Sequence, residues 1–233
     1  MQAAPAIDAA PDFRHVDVWI FDLDNTLYPA ASPIFAQVEA RMTVFVQQFL
    51  GLDEQEARRV QKAYYREHGT TLNGLMRVHG VDPDAYLGFV HDIDISALDA
   101  DADLARAISR LPGRRYVFTN GCRHHAGRIL DRLALASLFD ELWDIRTIEF
   151  RPKPDPDSYR AVLARADARP AHTAMFDDIA RNLAPAHELG CTTVWLRDDT
   201  EWSRPGPEQP PVLPAHIDYE ISDLCKFLGT IRV

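Results

Sequence analysis

The sequence predicts an α/β fold: a largely parallel sheet with a small all-helical segment inserted after its first strand. Three observations predict it. Short apolar, strand-like runs alternate with helical patterns over most of the chain, as βαβ units require. One N-terminal segment breaks that alternation with consecutive amphipathic helices. Polar clusters fall at the ends of the strand-like runs or in the loops after them, where open α/β sheets bind ligands.

Taken in order, the first run is Val16-Asp17-Val18-Trp19-Ile20-Phe21, mostly apolar and closing on Asp22 and Asp24. It reads as a buried strand whose C-terminal end carries charge. Next, Ile34–Leu50, Asp53–His68 and Asp82–His91 read as amphipathic helices, with Phe35, Val38, Met42, Phe45 and Phe49 spaced by threes and fours. The Phe35/Phe45/Phe49 stripe is expected in the core, with Trp143 and Trp195. A helix over Asp101–Arg110 resumes the alternation. Strands follow at Tyr116–Thr119, Leu142–Ile145, Thr173–Phe176 and Thr192–Leu196, separated by helices at Ala126–Leu135, Asp157–Ala166 and Ile179–Leu189. Ile217–Ile221 adds one more strand after the proline-rich stretch Arg204–Pro214, expected as an irregular surface connection. The expected division is a core of residues 12–30 and 97–233, with residues 31–96 forming a helical cap over the sheet's C-terminal edge.

Composition narrows the partners. A formal net charge of −10 leaves no basic stripe to neutralise a phosphate backbone or an anionic bilayer, which argues against nucleic acid and membrane. A small anionic substrate stays compatible if a metal and a few cations share one pocket. The three cysteines, Cys122, Cys191 and Cys225, form no C-x-x-C pair, so neither a disulfide framework nor a structural zinc site is indicated. The segment Met1–Asp12 lacks the basic and apolar regions of a secretory signal, and no run has the length of a membrane span, so the cytoplasm is the expected compartment. Only Lys62, Lys153 and Lys226 interrupt an otherwise all-Arg set of 25 basic residues, which draws notice to a lysine in an unusual setting.

Asp22 and Asp24 bring two carboxyl groups near one point, where repulsion needs a cation or a shared proton. Mg²⁺ answers that need, since hard cations take oxygen ligands; a strand end followed by an Asx turn is the plainer alternative. Three further clusters tip the balance: Thr119-Asn120-Gly121, whose hydroxyl and loop amides could hold phosphate oxygens; Lys153, bracketed by Pro152 and Pro154; and Asp177-Asp178, followed by Asn182. His124-His125 lacks metal-ligand spacing and is expected on a helix's first turn. Cys122 is expected to be a small packing residue. Asp99, Asp101 and Asp103 mimic a calcium loop, but Leu104 and Arg110 stand where Gly and Glu are needed, so a helix N-terminus is expected.

Phe-Asp-Leu-Asp-Asn-Thr-Leu-Tyr, Thr-Asn-Gly, Lys-Pro-Asp-Pro and Phe-Asp-Asp-x-x-x-Asn, in that order, resemble the four motifs of the haloacid dehalogenase superfamily of phosphohydrolases. The likeness spans nearly the whole chain. The helical insertion, with His68-Gly69-Thr70-Thr71-Leu72-x-Gly74-Leu75 and Phe89-Val90-His91-Asp92, resembles that superfamily's pyrimidine 5′-nucleotidase branch. The resemblance implies a Rossmann-like core and an aspartyl-phosphate mechanism acting on a small phosphorylated metabolite, a pyrimidine nucleoside 5′-monophosphate, with phosphoglycolate, sugar phosphates or a promiscuous set of esters as the alternative. By resemblance, Asp22 is the nucleophile, Asp24 the general acid and base, and Lys153 the cation that neutralises phosphate and restrains Asp22. Thr26 steadies the Asp loop, and Thr119 and the Asn120 backbone hold phosphoryl oxygens; the Gly69-Leu75 segment reads as a cap loop that brings Thr70 and Thr71 to the substrate's non-phosphate part, with an ordinary helix C-cap and turn as the alternative. Mg²⁺ is held by Asp22, the Asp24 carbonyl, Asp178 directly and Asp177 through water, with Asn182 orienting. Dehalogenases of the superfamily lack an acid/base aspartate two residues after the nucleophile, so Asp24 favours ester hydrolysis over carbon–halogen cleavage.

Overall fold

The computed structural model describes residues 10–198 and 213–233. Met1–Ala9 and most of Arg204–Pro214, on which two of the expectations above bear, lie outside them. Among the described residues six strands form one sheet in the order β3-β2-β1-β4-β5-β6, every pair parallel. They are β1 (Val18–Phe21), β2 (Arg114–Phe118), β3 (Glu141–Trp143), β4 (Thr173–Asp177), β5 (Thr192–Leu196) and β6 (Tyr219–Ile221). The α/β class is therefore the one the sequence predicts.

A parallel sheet needs cover on both faces, and its central strands are correspondingly apolar throughout. All four residues of β1 are buried. Trp19 and Phe21 join one core cluster and Val18 and Ile20 the other, the two-residue period of a strand. The first cluster includes Leu104 and Ile108 of α5 (Ala102–Ser109), Ile129 of α6 (Arg123–Arg132) and Leu224 and Leu228 of α9 (Leu224–Thr230). The second includes Tyr159 and Val162 of α7 (Pro156–Arg165) and Leu183 and Ala186 of α8 (Ala180–Leu189).

Four helices lie between β1 and β2: α1 (Pro33–Leu50), α2 (Glu54–His68), α3 (Thr71–His79) and α4 (Pro83–Val90). Three match the expectation. The fourth, α3, is a correction: the expected Gly69-Leu75 loop is instead a helix cap and a helix start. Thr70 caps α3, its hydroxyl accepting from the Asn73 amide at 3.1 Å. Gly74 breaks no helix here; it lets α3 close on α2, since a methyl group at that position would lie 2.4 Å from Tyr64 Cβ. The aromatic stripe on α1 is a second correction. Ile34, Val38, Thr43 and Val46 are the buried residues of that helix, while Phe49 is 46% exposed. The seven-residue α9 is a further element that the sequence pattern does not predict. No helix of the described residues is long and apolar enough to cross a membrane.

Candidate active site

In the order 3-2-1-4-5-6 the chain leaves β1 in one direction and returns to β4 on the other side, which opens a crevice at the carboxyl ends of β1 and β4. Asp22 is the first residue past β1, and its amide extends the pairing by donating to the Phe176 carbonyl at 2.8 Å. Asn25 then takes φ +59°, a left-handed conformation that asparagine tolerates, and turns the chain back. Thr26 steadies this turn through its amide to the Leu23 carbonyl at 3.2 Å, and its hydroxyl points to Asp22 Oδ2 at 3.5 Å.

Lys153 enters from the loop before α7. Its backbone is gripped twice by the Asn120 side chain: Lys153 N donates to Oδ1 at 2.8 Å, and Nδ2 donates to the Lys153 carbonyl at 3.2 Å. Asn120 was expected to act through its backbone; its side chain instead sets the position of the lysine. The ammonium donates to Asp22 Oδ1 and to Asp177 Oδ2, both at 2.7 Å, and lies 5.1 Å from the Phe118 ring centroid. Asp177 Oδ1 accepts from Ile179 N at 2.9 Å and from Asn182 Nδ2 at 3.0 Å, so both oxygens of Asp177 are occupied. Among the described residues Asp178 has only Asn25 Nδ2 on its side chain, at 3.5 Å, while its carbonyl accepts from Trp195 Nε1 at 2.8 Å.

Asp22, Asp177 and Asp178 each offer an oxygen within 4.8 Å of the others, and all three are buried. One ammonium faces three carboxyl groups. Burial, with repulsion from Asp177 and Asp24, pushes Asp22 up to about 7 against the pull of Lys153. Burial and the charges of Asp177 and Asp22 push Asp178 well above the usual carboxylate range. Burial works against the charge on Lys153, yet Asp177 and Asp22 hold its affinity for the proton above the ordinary value. The site is short of positive charge, and an all-oxygen donor set suits a hard divalent cation.

Asp24 has different company. Its Oδ1 accepts from Tyr28 OH at 2.7 Å and lies 2.9 Å from His125 Nε2. Burial opposes its charge, but His125 and Tyr28 together hold its carboxyl below the usual range. The His125 ring stacks on His91, centroids 4.2 Å apart and planes 11° apart. His91 Nδ1 in turn lies 3.1 Å from the sulfur of Cys122, the N-cap residue of α6. His124 and His125 are in the first turn of α6, as expected, but the contact of His125 with Asp24 was not foreseen. The usable signal was a histidine on the apolar face of a helix that starts beside Thr119-Asn120-Gly121.

A cavity of about 120 Å³ opens over these groups. Asp22, Asp24, Thr119, Asn120, Lys153 and Asp178 line it, together with Phe35, Val38, Met42, Leu87 and Val90 from α1 and α4. Thr119 Oγ1 accepts from Gly121 N at 2.9 Å. Thr70 and Thr71 also line the cavity, yet both hydroxyls have structural duties, Thr70 capping α3 and Thr71 donating to the Gln61 carbonyl at 3.1 Å. The α2–α3 turn is held against the site's own loop. Arg181 of α8 donates to the Tyr65 and Gly69 carbonyls at 3.4 Å each, and a methyl group on Gly69 would lie 3.1 Å from Pro152 Cγ.

Comparison with known proteins agrees with this fold. Over 190 residues, 74% of the chain, it is 28% identical to Phosphate metabolism protein 8 of Saccharomyces cerevisiae, and the match spans 59% of that relative's length. Among solved structures it resembles a predicted phosphoglycolate phosphatase from Haemophilus somnus 129pt, with a TM-score of 0.64 at 17% identity, covering 92% of this chain and 97% of the other. It resembles the L-2-haloacid dehalogenase RSc1362 with a TM-score of 0.57 at 15% identity, covering 92% and 97%. Phosphatase and dehalogenase neighbours alike share the fold. The family model of haloacid dehalogenase-like hydrolases matches residues 16–190, which takes in every polar cluster described above, and the chain belongs to that family of hydrolases.

Proposed function

We propose that the chain is a Mg²⁺-dependent phosphomonoesterase that hydrolyses a pyrimidine nucleoside 5′-monophosphate. The observation that carries the phosphatase reading is the pair of aspartates with unlike surroundings. Asp22 has one oxygen fixed by Lys153 and the other bound only loosely by Thr26, the posture of a carboxylate nucleophile. Asp24, two residues on, is placed to give a proton to the leaving oxygen and then to take one from water. In this proposal Asp22 attacks phosphorus, the bond to the ester oxygen breaks, and water later releases phosphate from the aspartyl ester. Lys153 and Thr119 face the phosphoryl oxygens, where electrostatic stabilisation does most of the work. Asp22, the Asp24 carbonyl and Asp178 would hold Mg²⁺, with Asp177 one shell behind. A bound cation supplies the positive charge that the site lacks.

Residues 31–96 would act as a cap on a core formed by residues 12–30 and 97–233, and the cavity wall supports a nucleoside as leaving group. Its contribution from α1 and α4 is apolar and aromatic, and among the described residues Lys153 is the single lysine or arginine that lines it. A carboxylate such as that of phosphoglycolate would find no second cation there, whereas a flat, uncharged base would bury well.

Phosphate release across UMP, CMP, purine nucleotides, sugar phosphates and phosphoglycolate tests the substrate. UMP and CMP should give the highest kcat/KM; a preference for phosphoglycolate would sink the nucleotide assignment. Asp22→Asn should lower kcat by at least about a thousandfold on every ester. Full turnover by that variant would remove Asp22 as nucleophile.

A further inference from the structure

Asp24 Oδ1 is occupied twice. Tyr28 OH donates to it at 2.7 Å and His125 Nε2 lies at 2.9 Å, while Oδ2 takes no partner among the described residues. The free oxygen faces the phosphate loop. A methyl group on Gly121 would lie 3.2 Å from Thr119 Oγ1, 3.4 Å from His125 Cδ2 and 3.7 Å from Asp24 Oδ2, so these three atoms converge on one small volume.

His125 is built in rather than resting there. It is 1% exposed, and its second ring nitrogen has no hydrogen-bond partner among the described residues. The tautomer with its hydrogen on Nε2 satisfies the contact with the carboxylate, whereas the other would set two lone pairs against each other. Its ring lies flat against His91, and Arg128, one helical turn along α6, donates to the His91 carbonyl at 3.2 Å. The same helix therefore carries the ring and ties down its backing. Tyr28, four residues after Asp24, is 2% exposed and fixes the other donor.

We propose that His125, together with Tyr28, is a positioning residue that confines the Asp24 proton to Oδ2. An oxygen that already accepts two hydrogen bonds is a poor seat for a third hydrogen, so a protonated Asp24 carries it on the oxygen that faces substrate. When Asp22 forms its bond to phosphorus, the bond to the ester oxygen breaks and its electron pair stays on that oxygen. The proton on Asp24 Oδ2 goes there, giving the alcohol and an Asp24 carboxylate. In the second half Oδ2 takes a proton from the attacking water, and the electron pair of the broken bond returns to Asp22. This rests on the phosphatase reading above.

Leaving-group dependence tests it. Wild type, His125→Phe and His125→Gln are compared on UMP and on p-nitrophenyl phosphate, whose phenolate departs without a proton. His125→Phe should lose about 10²-fold in kcat on UMP with KM within threefold. On p-nitrophenyl phosphate it should release a burst of nitrophenolate equal to the enzyme and then turn over slowly, because the base step alone is impaired. His125→Gln, whose amide can donate to Oδ1, should recover most of the kcat. If His125→Phe fails to fold, Tyr28→Phe removes the other donor and should show the same burst. A folded His125→Phe within threefold of wild type on both esters overturns the proposal, as does a loss equal on both esters without a burst. Wild type inert towards both esters would sink the phosphatase reading, and this inference with it.

Discussion

Asp178 and Asp177 are neighbours in sequence and opposites in what their oxygens touch. Asp177 is fully engaged by Lys153, Asn182 and the Ile179 amide, while Asp178 has one long contact and a carboxyl pushed far above its usual range by burial and by Asp177. A cation that binds here relieves Asp178 most. Mg²⁺ at about a hundred times its dissociation constant should therefore stabilise the protein by about 2.7 kcal/mol, seen as a rise in Tm that EDTA reverses. Asp178→Asn should raise the metal-free Tm and abolish the response; an unchanged response would place the metal elsewhere. The sequence made Asp22, Asp24, Thr119, Lys153 and Asp177 visible because each sits at a strand end or a proline-marked loop. It hid His125, because a polar residue on an apolar helix face looks the same whether it packs or points at a carboxylate, while Tyr28 and His91 were visible as letters of two motifs but without a role. Thr70 and Thr71 were legible as neighbours of the site, not as a helix cap and a support for Gln61.

Among the elements, α3 shows how punctuation misleads. Glycine at 69 and again at 74 reads as a loop, yet Gly69 ends one helix with φ +83° and Gly74 sits inside the next. The cause is tertiary: α2 and α3 approach so closely that only hydrogen fits at 74. Gly74→Ala should destabilise the fold by about 1–3 kcal/mol through overpacking against Tyr64, measured by denaturant or thermal unfolding. The double variant with Tyr64→Ala should regain part of that loss, since it opens the space. The strands were easier, because parallel strands buried on both faces are continuous apolar runs. The α1 stripe was misjudged because periodicity gives a helix its faces but not which one meets a cavity: Phe35 and Met42 turn to the cavity and Val38 bridges cavity and core.

At the scale of the whole molecule, inserted helices and sheet meet at His91, which follows α4 and stacks on His125 of α6. Burial, aided by the neighbouring His125 and His124 and opposed by Asp24, pushes His91 down to about 3 from an ordinary 6.5. Between those values the unfolded chain binds a proton that the folded protein refuses, so stability falls as pH drops below about 6.5. One such group gives a slope of up to about 1.4 kcal/mol per pH unit. His91→Asn should flatten the Tm profile between pH 7 and pH 5; an identical slope would show that other groups set it. The alternation of runs made the sheet legible, but not which strands lie side by side, because pairing is decided by partners far apart in the chain. That distance also shapes how the protein is made. β1 pairs with β4 from Val18↔Thr173 onward, roughly 150 residues later in the chain. During synthesis β1 thus emerges early and waits, both edges unpaired until β2 is made and one until β4, while the inserted helices can form from local contacts. Lys153 and Asp177 arrive near the end of that wait, so the carboxylate–lysine cluster assembles only once β4 has been made. The exposed edge of β1 is the stretch on which a nascent chain would depend for protection.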